Sequence, residues 1–126
     1  MKTNLILIGL GGALGSVARY LTTVYVSRQF ATESFPYGTL AVNIIGCLII
    51  GIVYGMSERF QWFSPSLRLF LATGFCGGFT TFSAFAYENM RLLQQANFIG
   101  FAMYSIASFA VCTIAVFAGL LSVKFL

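Results

Sequence analysis

The sequence predicts an all-α membrane protein with four transmembrane helices, the third of them broken. Three observations carry this. First, 59% of the 126 residues are hydrophobic and only 8% are charged, against about 25% charged in ordinary soluble domains. A globule of this size could not hide so much apolar side chain. Second, the ten charged residues divide the chain into four apolar stretches, from about Thr3 to Ser27, Gly38 to Ser57, Leu67 to Met90 and Phe98 to Val123. A helix rising about 1.5 Å per residue needs about 20 apolar residues to cross the hydrocarbon, and each stretch is long enough. Third, Gly77-Gly78 and Thr80-Thr81 interrupt the third stretch with poor helix formers. The four stretches account for the chain as one transmembrane domain, residues 1–126.

The first stretch is too long for a signal-peptide core and contains Arg19, so a retained span is expected. Gly11 and Gly15 have the small-xxx-small spacing of closely packed helices. Arg19 falls late in the stretch. It either snorkels to the interface or helps form an electropositive vestibule for anions. The second stretch starts after the turn Pro36-Tyr37-Gly38. Thr39, Asn43 and Gly46 share one helical face. An amide in lipid must find a partner, either an interhelical hydrogen bond or a permeant species. The alignment of three small or polar residues favours a pore lining.

In the third stretch, GGFTTFSAF (residues 77–85), glycine costs roughly 1 kcal/mol per residue in helix propensity, and threonine suits an N-cap. The expectation is a helix ending near Cys76, an unwound segment, and a second helix starting near Thr81; the alternative is a glycine kink in a packing helix. Irregular backbone at membrane depth survives only inside protein or beside a water-filled cavity. Freed carbonyls such as those of Gly77 and Thr80 suit a cation, and a new helix start suits an anion. Beyond the break, Phe82 and Phe85 share a face, and aromatic ring edges are weakly electropositive. Ser83 adds a hydroxyl. Glu88 follows about a turn later, with Arg91 placed to pair with it. In the fourth stretch Tyr104, Ser108, Ala115 and Gly119 lie close to one face, which serves tight packing or offers hydroxyl donors.

Composition also excludes. The basic residues are scattered at helix ends rather than gathered as a nucleic-acid patch. With three cysteines inside the stretches and no histidine, neither a disulfide framework nor a zinc site is expected. No GxxxxGK[ST] motif is present, and without aspartate a magnesium-dependent lipid kinase lacks its carboxylates. Lys2, Arg59, Arg68 and Lys124 fall on one side, Arg28, Arg91 and Arg19 towards the other. So weak a bias leaves open a single orientation or insertion both ways.

The runs GFCGGFTTFSAF, FPYGTLAVN and GGALGSVARY resemble, over the whole chain, the Fluc/CrcB family of small fluoride channels. The resemblance implies a dual-topology, antiparallel homodimer in the bacterial inner membrane. Two fluoride pores and one central structural sodium ion belong to each dimer. It places Asn43, Phe82, Ser83, Phe85 and Tyr104 in the pore and the carbonyls of Gly77 and Thr80 on sodium. Arg19, Thr39, Thr81, Glu88 and Ser108 become further pore or vestibule candidates. Ala84 departs from the family, which often carries a hydroxyl there. The implied activity is passive export of cytoplasmic fluoride, not enzymatic. The rivals are a small dual-topology multidrug exporter, which needs an intramembrane acid, and a non-conducting membrane subunit.

Overall fold

The computed structural model describes residues 1–30 and 35–126; Glu33 lies outside the described residues. Every regular element among them is helical: α1 (Lys2–Gln29), α2 (Tyr37–Arg59), α3 (Pro65–Arg68), a π-helical segment π1 (Leu69–Cys76), α4 (Gly77–Phe79), α5 (Phe82–Gln94) and α6 (Phe98–Lys124). Lys2–Gln29, Tyr37–Arg59, Pro65–Gln94 and Phe98–Lys124 are long and apolar enough to cross a membrane. The chain is therefore read as a multi-pass integral membrane protein.

Local chemistry sets the helix ends. Ser64 caps α3, its hydroxyl accepting from the Leu67 amide at 3.1 Å, and Pro65 follows at the first helical position. Asn97 caps α6 through the Gly100 amide at 2.9 Å. Between α5 and α6, the Asn97 amide bonds the Leu92 carbonyl and the Ala96 amide bonds that of Leu93. This Schellman arrangement needs a left-handed residue, and Ala96 supplies it at φ 56°. At the far end of α6, Arg59 gathers the last carbonyls, donating to Val123, Lys124 and Leu126 at 3.1, 2.8 and 2.9 Å.

Helices in lipid gain little from hiding apolar surface from each other, so close backbone approach must hold them together. Gly11 and Gly15 of α1 rest on the backbone of π1 and α4, and Gly78 rests on Gly12. Any side chain at Gly15 would meet the Phe75 carbonyl and the Phe79 amide. The most extensive contact joins α2 and α6, which run parallel: Gly51 faces Val116 and Gly119, and Gly55 faces Leu120 and Val123. Val53, Phe63 and Ala72 form a buried cluster where α2, π1 and the connection between them meet.

One sequence expectation changes here. Gly77 and Gly78 are helical, Gly77 at φ −62°, ψ −36°. The extended residues are Thr80 (φ −82°, ψ 154°) and Thr81 (φ −148°, ψ 116°), between α4 and α5. Gly78 serves packing rather than unwinding, since it lies against the Gly12 backbone. Helix propensity alone does not register that contact.

Candidate functional site

The polar stripe of α2 faces the extended pair. Asn43 Oδ1 accepts the Thr81 amide at 2.8 Å, and Asn43 Nδ2 donates to the Thr81 carbonyl at 3.1 Å. One residue thus satisfies both backbone groups of Thr81. Gly46, nearly a turn further along, leaves room for the Thr80 methyl and the Phe79 ring. The Asn43 amide is an interhelical partner, with one N–H left beyond its bond to the Thr81 carbonyl.

This pairing redirects the backbone around it. In a continuous helix the Thr81 amide would bond the Gly77 carbonyl; here it goes to Asn43. The Ala84 amide would bond the Thr80 carbonyl; here it goes to Thr81 Oγ1 at 3.1 Å. Two carbonyl oxygens three residues apart are relieved of their helical donors. Gly77 is exposed and Thr80 half-buried. Carbonyl oxygens of this kind suit a hard cation such as sodium, so these residues fit the ion that the resemblance implies. The Thr80 hydroxyl is occupied, bonding the Cys76 carbonyl at 2.8 Å.

A second group forms about two turns along α5. Glu88 accepts from the Thr39 hydroxyl at 2.6 Å and from the Tyr104 hydroxyl at 2.9 Å. Thr39 and Tyr104 are buried, Tyr104 completely, so α2, α5 and α6 meet on one carboxylate. Its partners come from α2 and α6, not from Arg91 on its own helix. Ser108, one turn after Tyr104, is buried, and its Oγ has no hydrogen-bond partner. A buried hydroxyl without a partner is uncommon and marks a place for water or a ligand.

Aromatic rings connect the two groups. Phe82 and Phe85 lie 5.5 Å apart between ring centroids, and Phe85 lies 5.0 Å from Tyr104. Phe85 is half-buried, whereas Phe82 is 78% exposed. Both rings therefore do not turn inwards within one chain; Phe82 stands on the outer surface. Ser83 is exposed, with its hydroxyl 3.2 Å from that of Thr81. Arg19 lies half-buried on α1, which packs against π1 and α4.

Sequence reading gathered these residues without their partnerships. It did not assign Asn43 to the Thr81 backbone or Thr39 to Glu88. The common face of Thr39 and Asn43, four residues apart, held the signal: each meets a group on the third span.

The model of the family described as CrcB-like protein, Camphor Resistance (CrcB), matches residues 6–120. A relative from Flavobacterium psychrophilum, named fluoride-specific ion channel FluC, is 46% identical over 98% of this chain and 98% of its own. One of the same name from Bacteroides fragilis is 49% identical over 92% of each chain. A third, from Anaeromyxobacter, is 44% identical over 98% of this chain and 97% of its own. With the matched region running from α1 almost to the end of α6 and including every site residue described above, the chain belongs to the CrcB family.

Proposed function

We propose that this protein is a passive fluoride channel that lets cytoplasmic fluoride leave the bacterial cell across its inner membrane. Three kinds of support converge: membership of the family, the name carried by close relatives, and the paired interruption at Thr80–Thr81. The interruption carries the reading. It concentrates electropositive and hydroxyl groups at one level without placing a full positive charge in the path. Conduction needs binding weak enough to release the ion.

The working unit is an antiparallel homodimer with two pores. The exposed Phe82 ring and the exposed Gly77 backbone give the subunit surface a reason to meet a second copy. Fluoride passes the ring edges of Phe82 and Phe85, the remaining N–H of Asn43, and the hydroxyls of Ser83, Thr81, Tyr104 and Ser108. Arg19 gathers anions at the entrance, and Thr39 holds Glu88 beside the track. The carbonyls of Gly77 and Thr80 from both subunits hold a structural sodium ion, whose charge ties the two interruptions together.

Direction follows from chemistry. Hydrofluoric acid is a weak, neutral acid that enters from acidic surroundings and ionises near neutral pH. The trapped anion leaves down its electrochemical gradient, helped by a negative-inside potential. A proton-coupled exporter is the rival, because Glu88 is a carboxylate at a helix junction. The test is fluoride release from vesicles of purified protein without a pH gradient. Rapid release, lost in Phe82→Ile, supports the channel. Release only under an imposed proton gradient, or unaltered release in Phe82→Ile, removes this assignment.

A further inference from the structure

Outside the polar track, two cysteines stand side by side midway along α2 and α6. Gly51 faces Val116, the Gly55 position abuts Leu120, and Arg59 bonds the Lys124 carbonyl. All three pairs keep the same sequence offset along the parallel α2 and α6. That register sets Cys47 beside Cys112. Both are reduced and half-buried. Cys47 lies near the centre of α2 and Cys112 near the centre of α6. Among the described residues, no cluster of three or more His, Cys, Asp or Glu is poised for a metal. Cys76 is buried in π1 and lies outside this pair.

We propose that Cys47 and Cys112 form a two-coordinate site for a thiophilic d¹⁰ cation such as Hg(II), Ag(I) or Cu(I). Thiolate sulfur selects soft ions, and two neighbouring sulfurs that, among the described residues, belong to no cluster of three His, Cys, Asp or Glu suit those that accept two-coordination. Hard cations and zinc, which takes four ligands in structural sites, are excluded by the same donor set. Mercuric chloride is neutral and reaches mid-membrane. Each thiol gives up its proton as a sulfur–mercury bond forms; two chloride ions and two protons leave, and no redox change occurs.

The site borders the polar track. Cys47 is one helical turn from Asn43 and Cys112 one turn from Ser108. A metal bridge fixes α2 against α6 beside both. This link to transport rests on the channel reading above; metal retention does not.

The experiment uses full-length protein in detergent, loaded with mercuric chloride, chased with excess monothiol and weighed by intact mass spectrometry. Wild type and Cys76→Ala retain one mercury per chain until a dithiol is added. Cys47→Ala and Cys112→Ala lose it to the monothiol, with retention weaker by roughly a hundredfold or more, since the second thiol acts intramolecularly. Retention by either of those two variants matching wild type, or equally fast loss from wild type, overturns the site. In vesicles, mercuric chloride slows wild-type fluoride release several-fold, a dithiol restores it, and Cys47→Ala and Cys112→Ala are insensitive. Mercury retained with release unchanged overturns the coupling to the track while the binding site stands. Absence of fluoride release from all proteins before mercury is added counts against the channel reading alone.

Discussion

Replacing Asn43 with alanine removes both hydrogen bonds to Thr81, at 2.8 and 3.1 Å. Each such bond contributes about 0.5–1.5 kcal/mol net, so the pair contributes roughly 1–3 kcal/mol. The consequence goes beyond stability. The freed Thr81 amide regains the Gly77 carbonyl as its natural partner one turn back, and the helix can close through Thr80. That removes the Gly77 oxygen from any cation and turns the Phe82 ring away from its present direction. Fluoride release from vesicles, followed with a fluoride electrode, falls at least about tenfold, since 1.4 kcal/mol corresponds to that factor. Thermal stability in detergent also loses its dependence on sodium when sodium is replaced by a large organic cation. Asn43→Asp, which keeps the acceptor for the Thr81 amide but not the neutral donor for its carbonyl, falls between wild type and Asn43→Ala. Wild-type release in Asn43→Ala, with sodium dependence of stability intact, refutes the reasoning.

Three further perturbations follow from named contacts. Tyr104→Phe deletes one of the two donors to Glu88 and a hydroxyl beside Phe85, lowering fluoride release by about an order of magnitude while the fold, checked by gel filtration, is kept. Gly15→Val drives a branched side chain into the Phe75 carbonyl and Phe79 amide, an overpacking cost of at least about 1–3 kcal/mol; monodisperse protein recovered at wild-type yield contradicts that packing. Ala96→Gly relieves a left-handed alanine at φ 56°, so the thermal midpoint in detergent rises, and an unchanged or lower midpoint contradicts the Schellman assignment.

How much was legible in the sequence depended on the range of the interactions. Apolar stretches between charges are local, and they gave four helices suited to a membrane. Gly11 and Gly15 were legible as a packing face because their spacing alone defines it. Gly77-Gly78 was misjudged for the opposite reason. Its helix cost is local, whereas the backbone of α1 that makes glycine necessary at residue 78 lies more than sixty residues away in sequence. The interruption moved to Thr80 and Thr81, where Asn43 from another helix competes for the backbone. Glu88 shows the same limit. Arg91 is its obvious neighbour by spacing, but Thr39 and Tyr104 converge on it from α2 and α6. The placing of Cys47 beside Cys112 became visible only once the register of α2 on α6 was known.

The most direct test compares fluoride with chloride release from the same vesicles of purified protein, using ion-selective electrodes and an ionophore to dissipate voltage. Fluoride leaves at channel rates while chloride stays inside, if a path of ring edges, amide and hydroxyls replaces the smaller ion's hydration. Equal release of both halides, or of neither, contradicts the account.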